Sequence, residues 1–178
     1  VSSDGGGICH QILPESGYVR PGMVVAGADS HTSSHGALGA MAIGIGATDM
    51  AAVWALGRMV NVEVPATIKV VVDGEFRPGV GPKDLILYLI GMLSAEGANF
   101  RVIEFHGRAV KSMSVSGRLT ICNMSVEAGA TCGIVPADEE TFRYLREEAG
   151  VVEPVESVPP DVDAVYEEII EIDVSRLE

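Results

Sequence analysis

The chain has 178 residues, 47% of them hydrophobic, with 12 basic against 25 acidic side chains and a formal net charge of -13. That length and apolar content suffice to bury a core in one or two small domains, which excludes a disordered polymer, and the negative field would repel phosphate backbones and anionic bilayers, so neither nucleic acid nor a membrane is expected as a partner. No stretch approaches the roughly 18 to 20 uninterrupted apolar residues that cross a bilayer, and the opening VSSDGGG lacks a basic segment followed by an apolar one, so the expectation is a soluble cytoplasmic protein whose first residue, Val1, points to processing or to a start further upstream.

ICHQIL (Ile8 to Leu13) reads as a short strand or the start of a helix, and PESGYVRPG (Pro14 to Gly22) as turn chemistry. The apolar run MVVAG (Met23 to Gly27) predicts a strand, ended by the polar stretch DSHTSSH (Asp29 to His35). From Gly36 to Val60 the chain is rich in Ala, Gly and Met, with Thr48 and Asp49 placed to cap a helix running to about Val60. Its glycines imply closely packed backbones, because Gly inside a helix otherwise costs about 1 kcal/mol against Ala.

TIKVVVDG (Thr67 to Gly74) predicts a second strand, Gly81 to Gly97 a helix with Pro82 in its first turn, and RVIEFHG (Arg101 to Gly107) a further strand. Ser116 to Ala130 has helical spacing of Leu119, Cys122, Val126 and Ala130 with Ser116 as cap, CGIVPA suggests a short strand, and Asp138 to Gly150 is a helix with Asp138 as cap. From Val151 an acidic, Pro-containing linker leads to AVYEEIIEIDVSRLE, a helix or a strand. The order is α/β throughout: residues 1–64 as the end of one lobe, 65–150 as a second, and 151–178 as a linker entering a third.

DSHTSSH serves either as a polar turn or as a reaction site, since ligands of open α/β sheets bind beyond the carboxyl ends of strands. Asp29, His31 and His35 are a D-x-H-x3-H set, a weak metal signature that keeps a metal-dependent hydrolase open as an alternative. Asn123 and Glu127 are four apart and share a helical face beside the apolar stripe, where the carboxylate needs solvent, a cation or a partner. His10 stands among glycines as a satisfied core histidine or a functional one, and His106 is expected to be structural or solvent-facing. Cys9, Cys122 and Cys132 are irregularly spaced without a CxxC pair, so small buried hydrophobes in a reducing compartment are expected.

Together GICHQILPE, GADSHTSSHGALGAMAIGIGATDMA, VDG followed by GPKDLIL, and RLTICNMSVEAGA resemble the large subunit of the aconitase superfamily, most nearly its split hydro-lyases, 3-isopropylmalate dehydratase and homoaconitase. The resemblance covers about Gly7 to Gly150. It implies an aconitase-like fold of three-layer α/β/α lobes and a hydro-lyase of amino-acid (leucine) biosynthesis that isomerises a hydroxy di- or tricarboxylic acid by dehydration and rehydration. It implies catalytic pairs of His10 with Asp29 and of His31 with Glu127, substrate contacts at Ser30 and Thr32, and Asn123 near, not ligating, a 4Fe-4S cluster. The physical logic of such pairs is that a carboxylate beside an imidazole holds its tautomer and favours its cation.

In that family three Cys hold the cluster and leave one iron open as a Lewis acid. Those cysteines come from a G-S-C-T-N-like motif and a later CxxC, and neither occurs in these residues. The resemblance therefore implies an internal segment that alone binds no cluster, is inactive, and depends on a small subunit carrying the catalytic serine in a heterodimer or heterotetramer. A non-catalytic carboxylate- or RNA-binding module is the other alternative, with the acidic balance against RNA.

Overall fold

The computed structural model describes residues 6–59 and 62–178; Val1 and most of the opening VSSDGGG lie outside them. ICHQIL opens α1 (Cys9–Glu15) as a helix, not a strand. β1 (Val24–Gly27) then pairs in parallel with β2 (Met41–Gly44), with Val24 opposite Met41 and Gly27 opposite Gly44. Between them Ser30–Leu38 winds as a 3₁₀ helix of nine residues, long for that geometry. Its hydroxyls explain the tight winding. Thr32 Oγ1 donates to the Asp29 carbonyl and Ser34 Oγ to that of His31, each at 2.6 Å and each three residues back, which draws the backbone to three residues per turn.

The glycine-rich region ahead of the expected helix contains a strand, β2, and the helix itself is α2 (Ala47–Leu56), shorter than expected. Gly46, not Thr48 or Asp49, is its N-cap, and it stops where Gly57 takes a left-handed φ of 65°; Val60 lies outside the described residues. Only Met50 of α2 is buried, and Trp54 is 80% exposed.

In β3 (Ala66–Asp73) alternate residues Ile68, Val70 and Val72 are buried, the period of two that a strand imposes. α3 (Pro82–Leu93) carries the chain to β4 (Arg101–His106), parallel to β3, and α4 (Arg108–Lys111) with α5 (Val115–Met124) carry it to β5 (Cys132–Ile134), parallel to β4. Parallel neighbours require such crossovers. Ser114, two residues before the expected cap, accepts from the Gly117 N–H at 3.3 Å. α5 does not reach Ala130: Ser125 Oγ donates to the Ile121 carbonyl at 2.8 Å, and Ser125–Ala128 tightens into a 3₁₀ turn.

α6 (Glu139–Glu147) follows, capped by Asp138 as expected. The chain then returns to the sheet, where β6 (Glu168–Asp173) pairs in parallel with β3, giving the order β5-β4-β3-β6. Ile170 and Ile172 are buried. The tail expected as a linker entering a third lobe ends in a strand of the same sheet as β3, β4 and β5, with Ile170 and Ile172 opposite Val70 and Val72. Among the described residues every strand pairing is parallel, so the fold is α/β.

Three features anchor the site region. Ala37 of the first 3₁₀ helix joins the main core with Ile68, Leu85, Ile103, Phe105 and Ile121. Gly36 lies so close to β5 that a Cβ there would stand 1.8 Å from the Gly133 carbonyl oxygen, and its own carbonyl accepts from the Val135 N–H at 3.0 Å. Behind α5, the wholly buried Arg118 donates to both Asp138 oxygens, at 2.7 and 2.8 Å. Burial alone would push the Asp138 carboxyl up; the guanidinium and the Thr141 and Glu140 backbone N–H groups outweigh it and hold it below the usual range.

Candidate active site

The carboxyl end of β1 delivers Asp29, whose Oδ1 accepts the His31 backbone N–H at 2.7 Å and so caps the 3₁₀ helix. The same oxygen lies 3.3 Å from His10 Nε2 on α1 and 3.7 Å from His31 Nδ1. On its other side His31 Nε2 donates to Glu127 Oε1 at 3.2 Å, across 96 residues of sequence. A carboxylate only accepts, so in the contact with Glu127 the proton lies on His31 Nε2. The structure thus gathers His10, Asp29, His31 and Glu127 into one chain of contacts, with Asp29 as its hub and Glu127 about half exposed.

Glu127 reaches His31 from the 3₁₀ turn and not from a continued α-helix, so the helical face proposed for Asn123 and Glu127 is not what joins them. Asn123, still on α5, donates to Ser34 Oγ at 2.8 Å, and Ser33 Oγ donates to the Cys122 carbonyl at 3.0 Å. These two serines fix the imidazole-bearing helix to α5. Sequence reasoning did not single them out; their signal is the doubled hydroxyl in DSHTSSH, more donors than a turn alone needs.

Ser30 is exposed, with Oγ 3.2 Å from His31 Nδ1. Thr32 differs from the substrate contact expected of it: it is buried, and its hydroxyl donates to the Asp29 carbonyl, so it closes the turn. His35 also turns inward. Three residues per turn place positions 31 and 35 a third of a turn apart, and His35 is 1% exposed with Nδ1 lacking a partner and its ring 6.1 Å from that of His10. Burial, and secondarily the nearby His10, push its imidazole down to about 4. Asp29, His31 and His35 therefore do not form the ligand set of a metal-dependent hydrolase. Among the described residues no group of three or more His, Cys, Asp or Glu is set to hold a metal ion. His106 pairs with Glu104 in the second sheet, a structural role.

The cysteines do not fit an iron-sulfur cluster. Its ligands must be thiolates presented on one surface. Cys122 and Cys132 are buried, and burial pushes the Cys122 thiol well up and the Cys132 thiol up to about 11. Cys132 Sγ is engaged by the Ala42 N–H at 3.3 Å. Cys9, expected to be buried, is exposed because α1 leaves it outward, with Sγ 3.6 Å from His10 Nδ1.

Two imidazole-carboxylate pairs thus meet at the end of a parallel strand in an α/β protein. Over residues 1–178 the chain matches the aconitase family (aconitate hydratase), and it belongs to that family. It is 53% identical over 173 residues to 3-isopropylmalate dehydratase large subunit 1 of Methanopyrus kandleri, covering 97% of this chain and 40% of that one. It is 49% identical over 162 residues to a probable methanogen homoaconitase large subunit of Methanosarcina mazei, with 91% and 41% covered. Against 3-isopropylmalate dehydratase large subunit 1 of Thermotoga maritima the identity is 49% over 178 residues, with 100% and 42% covered. The chain spans about 40% of the length of these relatives. No helix among the described residues is long and apolar enough to cross a membrane.

Proposed function

We propose that in a complete assembly this chain forms the imidazole-carboxylate wall of a hydro-lyase of the 3-isopropylmalate dehydratase or homoaconitase type, isomerising a hydroxy di- or tricarboxylic acid by dehydration and rehydration. The observation that carries this reading is the convergence of His10, Asp29, His31 and Glu127 through contacts of 3.2 to 3.7 Å at one strand end. Loss of water requires a proton on the leaving hydroxyl and removal of another from carbon, the work of paired acid-base groups. Glu127 holds His31 at Nε2 and Asp29 faces both His10 Nε2 and His31 Nδ1, and we assign proton exchange with the substrate to these two imidazoles. Ser30, exposed beside His31 Nδ1, orients the substrate hydroxyl. The flanking carboxylates balance an imidazolium when a ring takes up a proton.

The family's 4Fe-4S cluster belongs, on this proposal, to the complete enzyme, with ligands other than Cys9, Cys122 and Cys132, and with Asn123 near it. Relatives named large subunits support a small-subunit partner, to which we assign the catalytic serine. A cytoplasmic role in leucine or related amino-acid biosynthesis, and a lobe boundary near residue 64, form part of the same proposal. The test is anaerobic co-production of the full-length large subunit with its small subunit, followed by the alkene absorbance formed from 3-isopropylmalate and from homocitrate. Turnover of one of them, lost in His31→Gln, is expected; no dehydration of either by a cluster-loaded assembly would sink the proposal.

A further inference from the structure

Beside the paired imidazoles a pocket of about 340 Å³ opens between α1, the amino-terminal end of α3 and the length of α5, within the size range of small-molecule sites. His10, Gln11, Ser34 and Asn123 line it together with Lys83 and Ser116, so it is continuous with the candidate active site. Its walls contain no Asp or Glu. In a chain with 25 acidic side chains and a net charge of -13 that is a local reversal. Four other cavities each carry carboxylates, including Glu63 and Glu167, Glu139 and Glu153, Asp73 and Glu171, and Glu15 and Glu148.

The donors of this pocket are also in surplus. Among the described residues Lys83, like Lys69, Lys111, Arg58 and Arg77, enters no ion pair, and of these five it alone lines this pocket. Its neighbour Asp84 is occupied at the helix cap, accepting the Gly81 N–H at 2.8 Å. Gln11 spends one amide hydrogen on Glu15 and Asn123 one on Ser34, which leaves each a second. The Ser116 hydroxyl has no partner among the described residues, and the amino terminus of α3, where Lys83 sits, adds a positive partial charge.

We propose that this pocket is a carboxylate subsite in which Lys83 supplies the counter-charge, holding one carboxylate of a small di- or tricarboxylic acid while the paired imidazoles act on the adjacent carbons. The subsite rests on the proposed function for the identity of its substrate, not for its affinity for carboxylates. Asp29 and Glu127 repel the substrate's anionic groups from the imidazole pairs, so an anchoring cation belongs outside them, and Lys83 stands there.

The probe is propane-1,2,3-tricarboxylate, titrated into the chain while the imidazole signals of its 4 histidines are followed by NMR. Saturable binding that shifts the His10 signal is expected, with Lys83→Met weakening it about tenfold or more, as loss of a charged hydrogen bond predicts. Lys83→Arg should retain most of the affinity, and the uncharged trimethyl ester should not bind. Equal binding by wild type and Lys83→Met, equal binding of ester and acid, or no saturable binding by the wild type would each overturn the subsite. In the assembled enzyme the same Lys83→Met should raise KM more than it lowers kcat. An assembly that dehydrates neither hydroxy acid, beside a chain that binds the tricarboxylate through Lys83, would reject the proposed function and leave the subsite standing.

Discussion

Replacing Glu127 by Gln keeps the shape of the side chain and removes a charge whose oxygen lies 3.2 Å from His31 Nε2. At that distance the attraction to an imidazolium is worth about 1 kcal/mol if water fills the cleft and about 5 kcal/mol at an effective dielectric constant of roughly 20, the value suited to a partly closed site. Those limits correspond to about tenfold and several thousandfold in rate, and general acid-base groups typically contribute about 10²- to 10⁴-fold. Stability should hardly move: the two side chains are 36% and 54% exposed, and exposed pairs are worth at most about 1 kcal/mol. The assay is kcat and KM of the assembled enzyme, with thermal melting of the same samples. A fall in kcat of about 10²- to 10⁴-fold at nearly unchanged Tm is expected. Near wild-type turnover, or a loss confined to KM, would refute a proton-transfer role for the pair.

Other perturbations read different parts of the structure. Arg118→Met leaves Asp138 without the guanidinium that holds its carboxyl low, and should cost about 3 to 5 kcal/mol in denaturant unfolding at neutral pH, less as pH falls through the carboxylate range and Asp138 becomes protonated. Because His35 is held at about 4 against 6.5 when free, the unfolded chain binds the extra proton between those values. Stability is therefore full above about pH 6.5 and falls by up to about 3 kcal/mol as pH drops toward 4; urea midpoints at pH 7 and pH 5 should show the slope, and His35→Gln should flatten it. Gly36→Ala forces a Cβ toward the Gly133 carbonyl and should destabilise by about 3 kcal/mol or more, read as a lowered melting temperature.

Much of the larger sheet is legible in the sequence because the signal is local. Ile68, Val70 and Val72 alternate along β3, and Asp138 caps α6 through its own neighbour Thr141. β2 escapes notice because Met41–Gly44 has only one β-branched residue, Ile43, and becomes a strand by pairing with β1, a tertiary choice. The 3₁₀ winding of Ser30–Leu38 follows from hydroxyl-to-carbonyl bonds that composition does not distinguish from a polar loop. Of the site, Asp29 and His31 stand out as neighbours at a strand end. Glu127 joins them from 96 residues away, and only the family resemblance connected the two. Spacing misassigned the cause, since Glu127 sits on a 3₁₀ turn and not on the α-helix that carries Asn123. Thr32 enters the expected site through the family resemblance and His35 through the D-x-H-x3-H spacing, yet burial turns one into a turn closure and the other into a core group.

The most direct measurement of the central claim, that His31 and Glu127 act as one unit in a dehydrating enzyme, is a double-mutant cycle on turnover of the assembled protein. His31→Gln, Glu127→Gln and the combined variant are compared with wild type on the same hydroxy acid. Groups that act as a unit are strongly non-additive, so the double variant should be no slower than His31→Gln alone, within about threefold. Losses that multiply, with the double variant slower by the product of the two single effects, would contradict the claim and leave the 3.2 Å contact as a neighbourhood without shared chemistry.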